Sequence, residues 1–384
     1  LKFSHPTVLF LGRRTGAFRA ARQLKWRVVV AAEKPPGPKE QDVAAAYLPA
    51  NFSDREADWA ALAAQIRADH QITAVFALTE GTVRPAAIMR EALHVAGLTV
   101  AAAQRCTDKL LMKQAIQAAG LPCADFIVVE GELASQRYVE KLGLPLVLKR
   151  RIGSGGRGTQ VFLTQEALPD HFPTGWLAES FVAGIEMSVE SLVCAGRPIF
   201  TNFTEYLQPG WANVVPAALS PDVAASVQAA NETALRALGI SQGITHLEIF
   251  LTPSGVFFGE LAARPPGGYI MELIEYAYGF DPWLAWFRLE LGQVPQLLAQ
   301  ASRYAGLWIL HPGQGRVARL AGRKQAEAVP GVERVSLRVQ LGDQVSQRLG
   351  VGQEVGHILA AGASRDEVIT SLQAARQIVQ IEVE

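Results

Sequence analysis

Residues 7–31 place the tightest limit on what this chain can fold into. Thr7 to Leu11 is a short apolar run, Gly12-Arg13-Arg14-Thr15-Gly16 reads as a turn, Ala17 to Leu24 as a helix and Arg27 to Ala31 as a second apolar run. Strand, helix and strand in that order make a parallel βαβ unit, since parallel strands are joined through a crossover. A proline-rich bend follows at Pro35, Pro36 and Pro38, after which Trp59, Leu62 and Ile66 repeat at helical spacing. Ile72 to Leu78 is another buried strand and ends in Thr79-Glu80-Gly81. Residues 1–100 are therefore expected to form a small α/β domain.

Beyond residue 100 the pattern changes. Thr107 is placed to cap a helix over 108–119, which Gly120 and Pro122 stop. Apolar runs at 146–150, 160–163, 177–182, 187–193 and 198–206 alternate with turns and predict β-hairpins. Ser220-Pro221 opens a helix that Gly239 closes. Residues 245–251 and 256–261 pair around Thr252-Pro253-Ser254-Gly255, and a helical stretch covers 269–291. The C-terminal segment returns to short strands, then a helix over 365–377 and a strand over 378–383.

Bulk properties narrow the function. Apolar residues make up 49% of the 384, enough for a sizeable core, and at roughly 150 residues per domain the length suggests two or three domains. Thirty-six basic and 36 acidic residues cancel, which argues against a general nucleic-acid or anionic-membrane binder but leaves room for one local anion pocket. Cys106, Cys123 and Cys194 show no zinc or redox spacing. With no apolar run of about 18 residues and no signal-peptide pattern, a reduced, cytoplasmic protein is expected.

Four segments carry chemistry. Lys149 precedes Gly153-Ser154-Gly155-Gly156-Arg157-Gly158, and the strand-like Gln160-Val161-Phe162-Leu163 follows. Glycines let backbone N–H groups approach phosphate oxygens, and a lysine adds a mobile point charge. A P-loop puts its glycines before a lysine that opens a helix; the reverse order here makes a glycine-rich hairpin lid, against the plainer alternative of a flexible turn. In Glu179-Ser180-Phe181-Val182-Ala183-Gly184-Ile185-Glu186, the apolar slot and backbone groups that an adenine ring needs, and the acceptor that a ribose needs, can come from Glu179, the Phe181–Val182 backbone and Glu186; an ordinary hairpin with exposed acids is the alternative.

The third segment holds Glu248 and Glu260 on the two strands of one hairpin. Side chains alternate along a strand, so His246, Glu248 and Phe250 share a face, as do Val256, Phe258 and Glu260. An odd loop or a bulge brings the two carboxylates opposite each other; a symmetric four-residue loop separates them. Facing carboxylates repel unless a proton or cation lies between them, and oxygen ligands completed by phosphate and water suit Mg²⁺. Fourth, Arg264 projects from the rigid run Pro265-Pro266-Gly267-Gly268, where an arginine can stabilise a transferring phosphoryl group or hold a carboxylate.

In this order the segments resemble the ATP-grasp superfamily, and within it the carboxylate–amine ligases of L-amino-acid-ligase type. The resemblance spans almost the whole chain. It implies an α/β (α+β grasp) architecture. An N-terminal parallel pre-ATP-grasp domain (1–100) precedes a two-part ATP-grasp domain (101–305, lid about 120–185) and a small β-rich C-terminal domain (306–384). It also implies ATP and Mg²⁺, with Mn²⁺ as a substitute. Lys109 and Lys149 become the nucleotide lysines, and Ser154, Gly155, Gly156, Arg157 and Gly158 the lid. Glu179, Phe181 and Val182 become the adenine hinge, Glu186 the ribose acid, Phe250 a further nucleotide contact, and Glu248 and Glu260 the metal carboxylates. Many relatives carry Glu-x-Asn-x-Arg, whose Asn also meets metal; here the run is Glu260-Leu261-Ala262-Ala263-Arg264, so that contact is missing or supplied differently.

The resemblance implies a two-step reaction in which phosphoryl transfer gives an acyl phosphate and an amine then displaces phosphate, with Lys149 and Arg264 as the catalytic cations. Small-molecule carboxylate and amine substrates are implied, with no nucleic-acid or membrane partner; a homodimer is compatible with this. Glu190, His246 and His311 are candidate bases, and Tyr206, Trp211, Tyr269 and Trp308 candidate acceptor-pocket residues. An ATP-dependent carboxylase of purine-biosynthesis type is the alternative within the family. Outside it stand a non-catalytic nucleotide-binding regulator and an NAD-dependent oxidoreductase, the latter suggested by Gly12, Gly16 and Glu33 but opposed by Arg14 where a second glycine is needed.

Overall fold

The computed structural model describes residues 6–52, 55–131, 134–153, 155–156, 158–350 and 352–384. Strands β1 (Thr7–Leu11), β2 (Arg27–Ala32), β3 (Ala44–Pro49) and β4 (Ile72–Ala77) form a parallel sheet in the order β3-β2-β1-β4. Val8 to Leu11 are buried, as strands covered on both faces must be. The sequence reading had no β3. Its residues are only half-buried and it ends in Pro49, which a sheet edge tolerates because no ladder N–H is needed there. Phe10, Trp26 and Phe76 pack against Phe287 of the helix Pro282–Glu290, with Trp26 and Phe287 stacked at 5.1 Å. Such pairs contribute about 0.5–1.5 kcal/mol each beyond burial and seat this sheet on the rest of the chain.

Strands β5 (Phe126–Val128), β6 (Leu146–Arg150), β7 (Gln160–Phe162) and β8 (Trp176–Ser180) make a small antiparallel sheet ordered β5-β8-β6-β7. It has its own core around Tyr138, Leu146, Leu148, Phe162 and Phe172. The large sheet begins with β9 (Ile185–Cys194), β10 (Arg197–Gln208), β11 (Ala212–Val215), β12 (Gly243–Thr252), β13 (Gly255–Ala262) and β14 (Tyr304–Leu310). Of the C-terminal strands β15 (Gly315–Ala321), β16 (Val332–Leu337), β17 (Gln344–Val345), β18 (Gly356–Gly362) and β19 (Gln380–Val383), β16 and β18 join it. Its order is β13-β12-β9-β10-β11-β14-β18-β16, antiparallel throughout, and β17-β15-β19 form a separate sheet. Pairing of β11 with β14 carries the large sheet across residue 305.

Two helix boundaries differ from expectation. Thr107 does not cap the helix Lys109–Ala118: it ends the preceding helix Val100–Thr107, where its hydroxyl donates to the Ala103 carbonyl at 3.0 Å. Asp108 caps instead, accepting from the Leu110 N–H at 3.0 Å. The expected stretch 269–291 is two helices, Ile270–Tyr278 and Pro282–Glu290. Gly279 ends the first at φ 74°, and Asp281 caps the second with Pro282 in its first turn. The helix Pro221–Leu238 starts at Ser220 and ends at Gly239 (φ 74°), as read from sequence, and buries Val227, Leu235 and Leu238 against the large sheet. Among the described residues no helix is long and apolar enough to cross a membrane.

Candidate active site

A cavity of about 460 Å³ lies where the small sheet faces β9–β13 of the large one. The register of the β12–β13 hairpin governs it. Pairing runs Thr252↔Gly255, Leu251↔Val256, Phe250↔Phe257 and Ile249↔Phe258, then slips by one residue so that Glu248 pairs with Glu260. The extra residue is Gly259, a β-bulge that returns Glu260 to the face of Glu248. A Cβ at Gly259 would sit 2.9 Å from the Glu248 carbonyl oxygen, which is why a side chain does not fit there. The facing arrangement that the sequence left open is therefore the one that forms. Lys109 Nζ lies 2.9 Å from Glu260 Oε1 and donates to the Gly153 carbonyl at 3.0 Å.

Lys149 stands in the same cavity, on β6. Its Nζ is 3.2 Å from Glu179 Oε2, and Lys113 Nζ reaches the same oxygen at 3.3 Å. Glu179 is buried, and burial alone would raise its carboxyl; the two ammonium groups outweigh burial and hold it below the usual range. Burial likewise favours the neutral form of Lys149, but Glu179 and Glu260 outweigh it and keep the ammonium charged. Glu179 Oε2 thus meets both lysines, while its Oε1 is buried without a hydrogen-bond partner among the described residues. Lys113 was not singled out from sequence. The available signal was its spacing four residues after Lys109, which puts both on one helix face.

Phe181, Val182 and Phe250 are among the apolar residues that line the cavity, with Ala124, Val147 and Phe258. Glu186 pairs with Phe250 across β9–β12, and its carboxyl is pushed up to about 7, first by burial and then by Glu248. From the lid, Gly153, Gly155 and Gly156 line the cavity, and Gly155 and Gly156 take φ of 65° and 70°, where L side chains are strained. Gly158 (φ 83°) packs against the Arg150 side chain instead. Ser154 and Arg157 lie outside the described residues.

Arg264, Ala262, Tyr206, Asn213, Gly267 and Gly268 also line the cavity. Arg264 Nε donates to Glu80 Oε2 at 3.0 Å, across 184 residues of sequence. Burial pushes the Glu80 carboxyl up, against the pull of Arg264. Glu80 was read only as the end of a strand. Its site signal was its place just past the carboxyl end of a parallel strand, where α/β sheets hold ligands.

His246 also lines the cavity, on β12 directly across from Ala262. Its Nδ1 is 2.9 Å from Glu190 Oε1, and its Nε2 is 3.6 Å from Glu248 Oε1. Burial would lower the imidazole, but Glu190 and Glu248 outweigh it and raise it to about 9, while His246 in turn helps hold Glu248 below the carboxylate range. Glu190 is buried and accepts from Ser188 (2.7 Å), Asn202 (2.7 Å) and Thr204 (2.6 Å) as well.

The remaining candidates sit elsewhere. Trp211, Trp308 and His311 line a separate groove of about 310 Å³. Tyr269 bonds to Glu354 (2.8 Å) and Arg338 in the C-terminal segment. The turn suggested for a dinucleotide is filled by protein: Arg14 Nη2 donates to the Pro266 carbonyl at 2.8 Å, and a Cβ at Gly16 would lie 2.3 Å from Trp283 Nε1. Among the described residues no three His, Cys, Asp or Glu side chains cluster as a self-sufficient metal site. The opposed Glu248 and Glu260 nonetheless fit an ion that takes the rest of its shell from phosphate and water.

Residues 114–271 match the ATP-grasp domain family, and residues 307–384 match the L-amino acid ligase C-terminal domain 2. The chain is 24% identical over 323 residues to the L-arginine-specific L-amino acid ligase of Bacillus subtilis, covering 79% of this chain and 78% of that protein. Its fold superposes on the crystal structure of L-amino acid ligase from Bacillus licheniformis with a TM-score of 0.83, at 20% identity over 99% of each chain. It is also similar to N5-carboxyaminoimidazole synthetase from Staphylococcus aureus complexed with ADP, with a TM-score of 0.76 at 18% identity over 98% of each chain. An N-terminal parallel sheet, a grasp-type middle and a β-rich C-terminus agree with these folds. The chain thus carries an ATP-grasp domain followed by an L-amino acid ligase C-terminal domain 2.

Proposed function

We propose that this chain is an ATP-dependent carboxylate–amine ligase that joins a small carboxylic acid, amino acids included, to an amine through an acyl phosphate. The observation that carries this reading is the bulged hairpin. It sets Glu248 opposite Glu260 in one cavity with Lys109, Lys149 and Arg264. When bound, Mg²⁺ would be held by Glu248 and Glu260 and would offset charge on the triphosphate.

The apolar lining that includes Phe181, Val182 and Phe250 takes the adenine, and Glu186 faces the ribose. Lys109 and Lys149 hold the phosphates under the glycine lid. The substrate carboxylate attacks the γ-phosphorus, the bond to the β-phosphate oxygen breaks, and ADP leaves. The amine then attacks the acyl carbon, phosphate departs and the amine loses a proton. Arg264 stabilises the acyl phosphate and the tetrahedral state, in a cavity whose cations are held in place before reaction. Glu80, bonded to Arg264, sets the direction of the guanidinium. The C-terminal family match favours an amine acceptor over the carboxylase alternative.

Release of ADP in the presence of Mg²⁺ and pairs of amino acids, with bicarbonate as a separate arm, tests the proposal. Amine-dependent ADP release with amide product is expected. ADP release driven by bicarbonate alone, or none with any amine, would refute it.

A further inference from the structure

The β12–β13 pairing sets His246 across from Ala262, so the methyl group at 262 leaves the imidazole facing the cavity beside Glu248. Glu190 settles how that ring is presented. Its carboxyl oxygens accept from the hydroxyls of Ser188 and Thr204 and from the Asn202 amide, and Oε1 meets His246 Nδ1 at 2.9 Å. Nδ1 is therefore the N–H donor, by assignment from the hydrogen-bond network. The other nitrogen, Nε2, is left pointing toward Glu248 Oε1 at 3.6 Å. A cation fits between that nitrogen and the carboxylate oxygen: a proton in the metal-free protein, or a divalent ion that displaces it. A histidine whose second ring nitrogen is anchored on a buried carboxylate is the usual support of an imidazole metal ligand, because the anchor fixes ring orientation and raises basicity.

We infer that His246, oriented by Glu190, is an inner-sphere nitrogen ligand that acts with Glu248 in holding a nucleotide-bound divalent ion, in the place of the side-chain amide that Ala262 lacks. The inference rests on the metal reading given under Proposed function. It carries a consequence for ion choice. A mixed nitrogen and oxygen donor set favours first-row transition ions such as Mn²⁺ over Mg²⁺, which prefers oxygen alone.

The test uses the full chain loaded with Mn²⁺ and ADP, read by electron spin-echo envelope modulation of the bound ion. Protein is grown with ordinary histidine and, separately, with histidine labelled with nitrogen-15. The expected result is modulation from a directly bound nitrogen that changes with the label and disappears in His246→Gln. The labelled wild-type protein gives the answer even if that variant folds poorly. Bound Mn²⁺ whose modulation ignores the histidine label would overturn the inference and leave the carboxylate site standing. ADP binding with no bound Mn²⁺ would refute the metal reading itself. Where His246→Gln folds, Mn²⁺ affinity in the ADP complex is expected to fall at least about tenfold, with Mg²⁺ affinity changing less.

Discussion

Gly259→Ala is the substitution that most directly probes the site. Nothing in the backbone angles reserves this position for glycine; space does. The added methyl would lie 2.9 Å from the Glu248 carbonyl oxygen, 3.2 Å from Phe250 Cε2 and 3.3 Å from the Glu248 carbonyl carbon. Two of those contacts are backbone of the partner strand, so no rotamer change relieves them. The strands must part by several tenths of an ångström, or the bulge must be lost and Glu260 pass to the other face. Overpacking of this kind costs about 1–3 kcal/mol. With an unfolding entropy of roughly 2.1 cal/mol/K per residue, that lowers the melting temperature by only about 1–4 °C. Function should suffer far more, since a misplacement of about 1 Å at a reacting centre costs about 10²-fold in rate. The assay pairs a thermal melt with ADP release at varied Mg²⁺. A small drop in melting temperature, with a large fall in rate and a raised Mg²⁺ requirement, is expected. Wild-type Mg²⁺ dependence in Gly259→Ala would show that the bulge does not set the site.

Three further outcomes follow from the same geometry. Lys113→Met leaves buried Glu179 with one cation and should destabilise the fold by about 3–5 kcal/mol, with much of the loss recovered in Lys113→Met/Glu179→Gln; equal melts for the two variants would contradict this. Burial, then Glu248, pushes the Glu186 carboxyl up to about 7 in the fold from about 4.5 in the unfolded chain, so the native state binds the extra proton between those values. Stability is therefore lost as pH rises through that window, and Glu186→Gln should flatten the melting-temperature profile there in nucleotide-free protein. Arg264→Lys keeps a charge but loses the planar donor fork, and ADP release should fall by about 10² or more with ATP binding retained; a proportional loss of ATP binding would place Arg264 on the nucleotide instead.

Much of the scaffold was legible because its causes are local. The βαβ opening, the cap at Ser220, the stop at Gly239 and the hairpin over 243–262 follow from apolar spacing and from residues whose own backbone preferences mark an end. Thr107 misled because a cap is chosen by which residue leaves the helix, and a preceding helix, not visible as a pattern, already held it. β3 was missed for a related reason: a half-buried edge strand carries little of the alternation that marks a strand.

The site divides along the same line. Lys149 ahead of its glycines, the apolar hinge and two carboxylates on one hairpin are sequence properties, since each depends on residues a few places apart. That Glu248 meets Glu260, that Glu179 sits between Lys113 and Lys149, that Glu80 holds Arg264 and that Glu190 aims His246 are decisions of the tertiary structure. A one-residue bulge reverses the face of a side chain, and a buried charge takes whichever partner packing brings within about 4 Å, however distant along the chain.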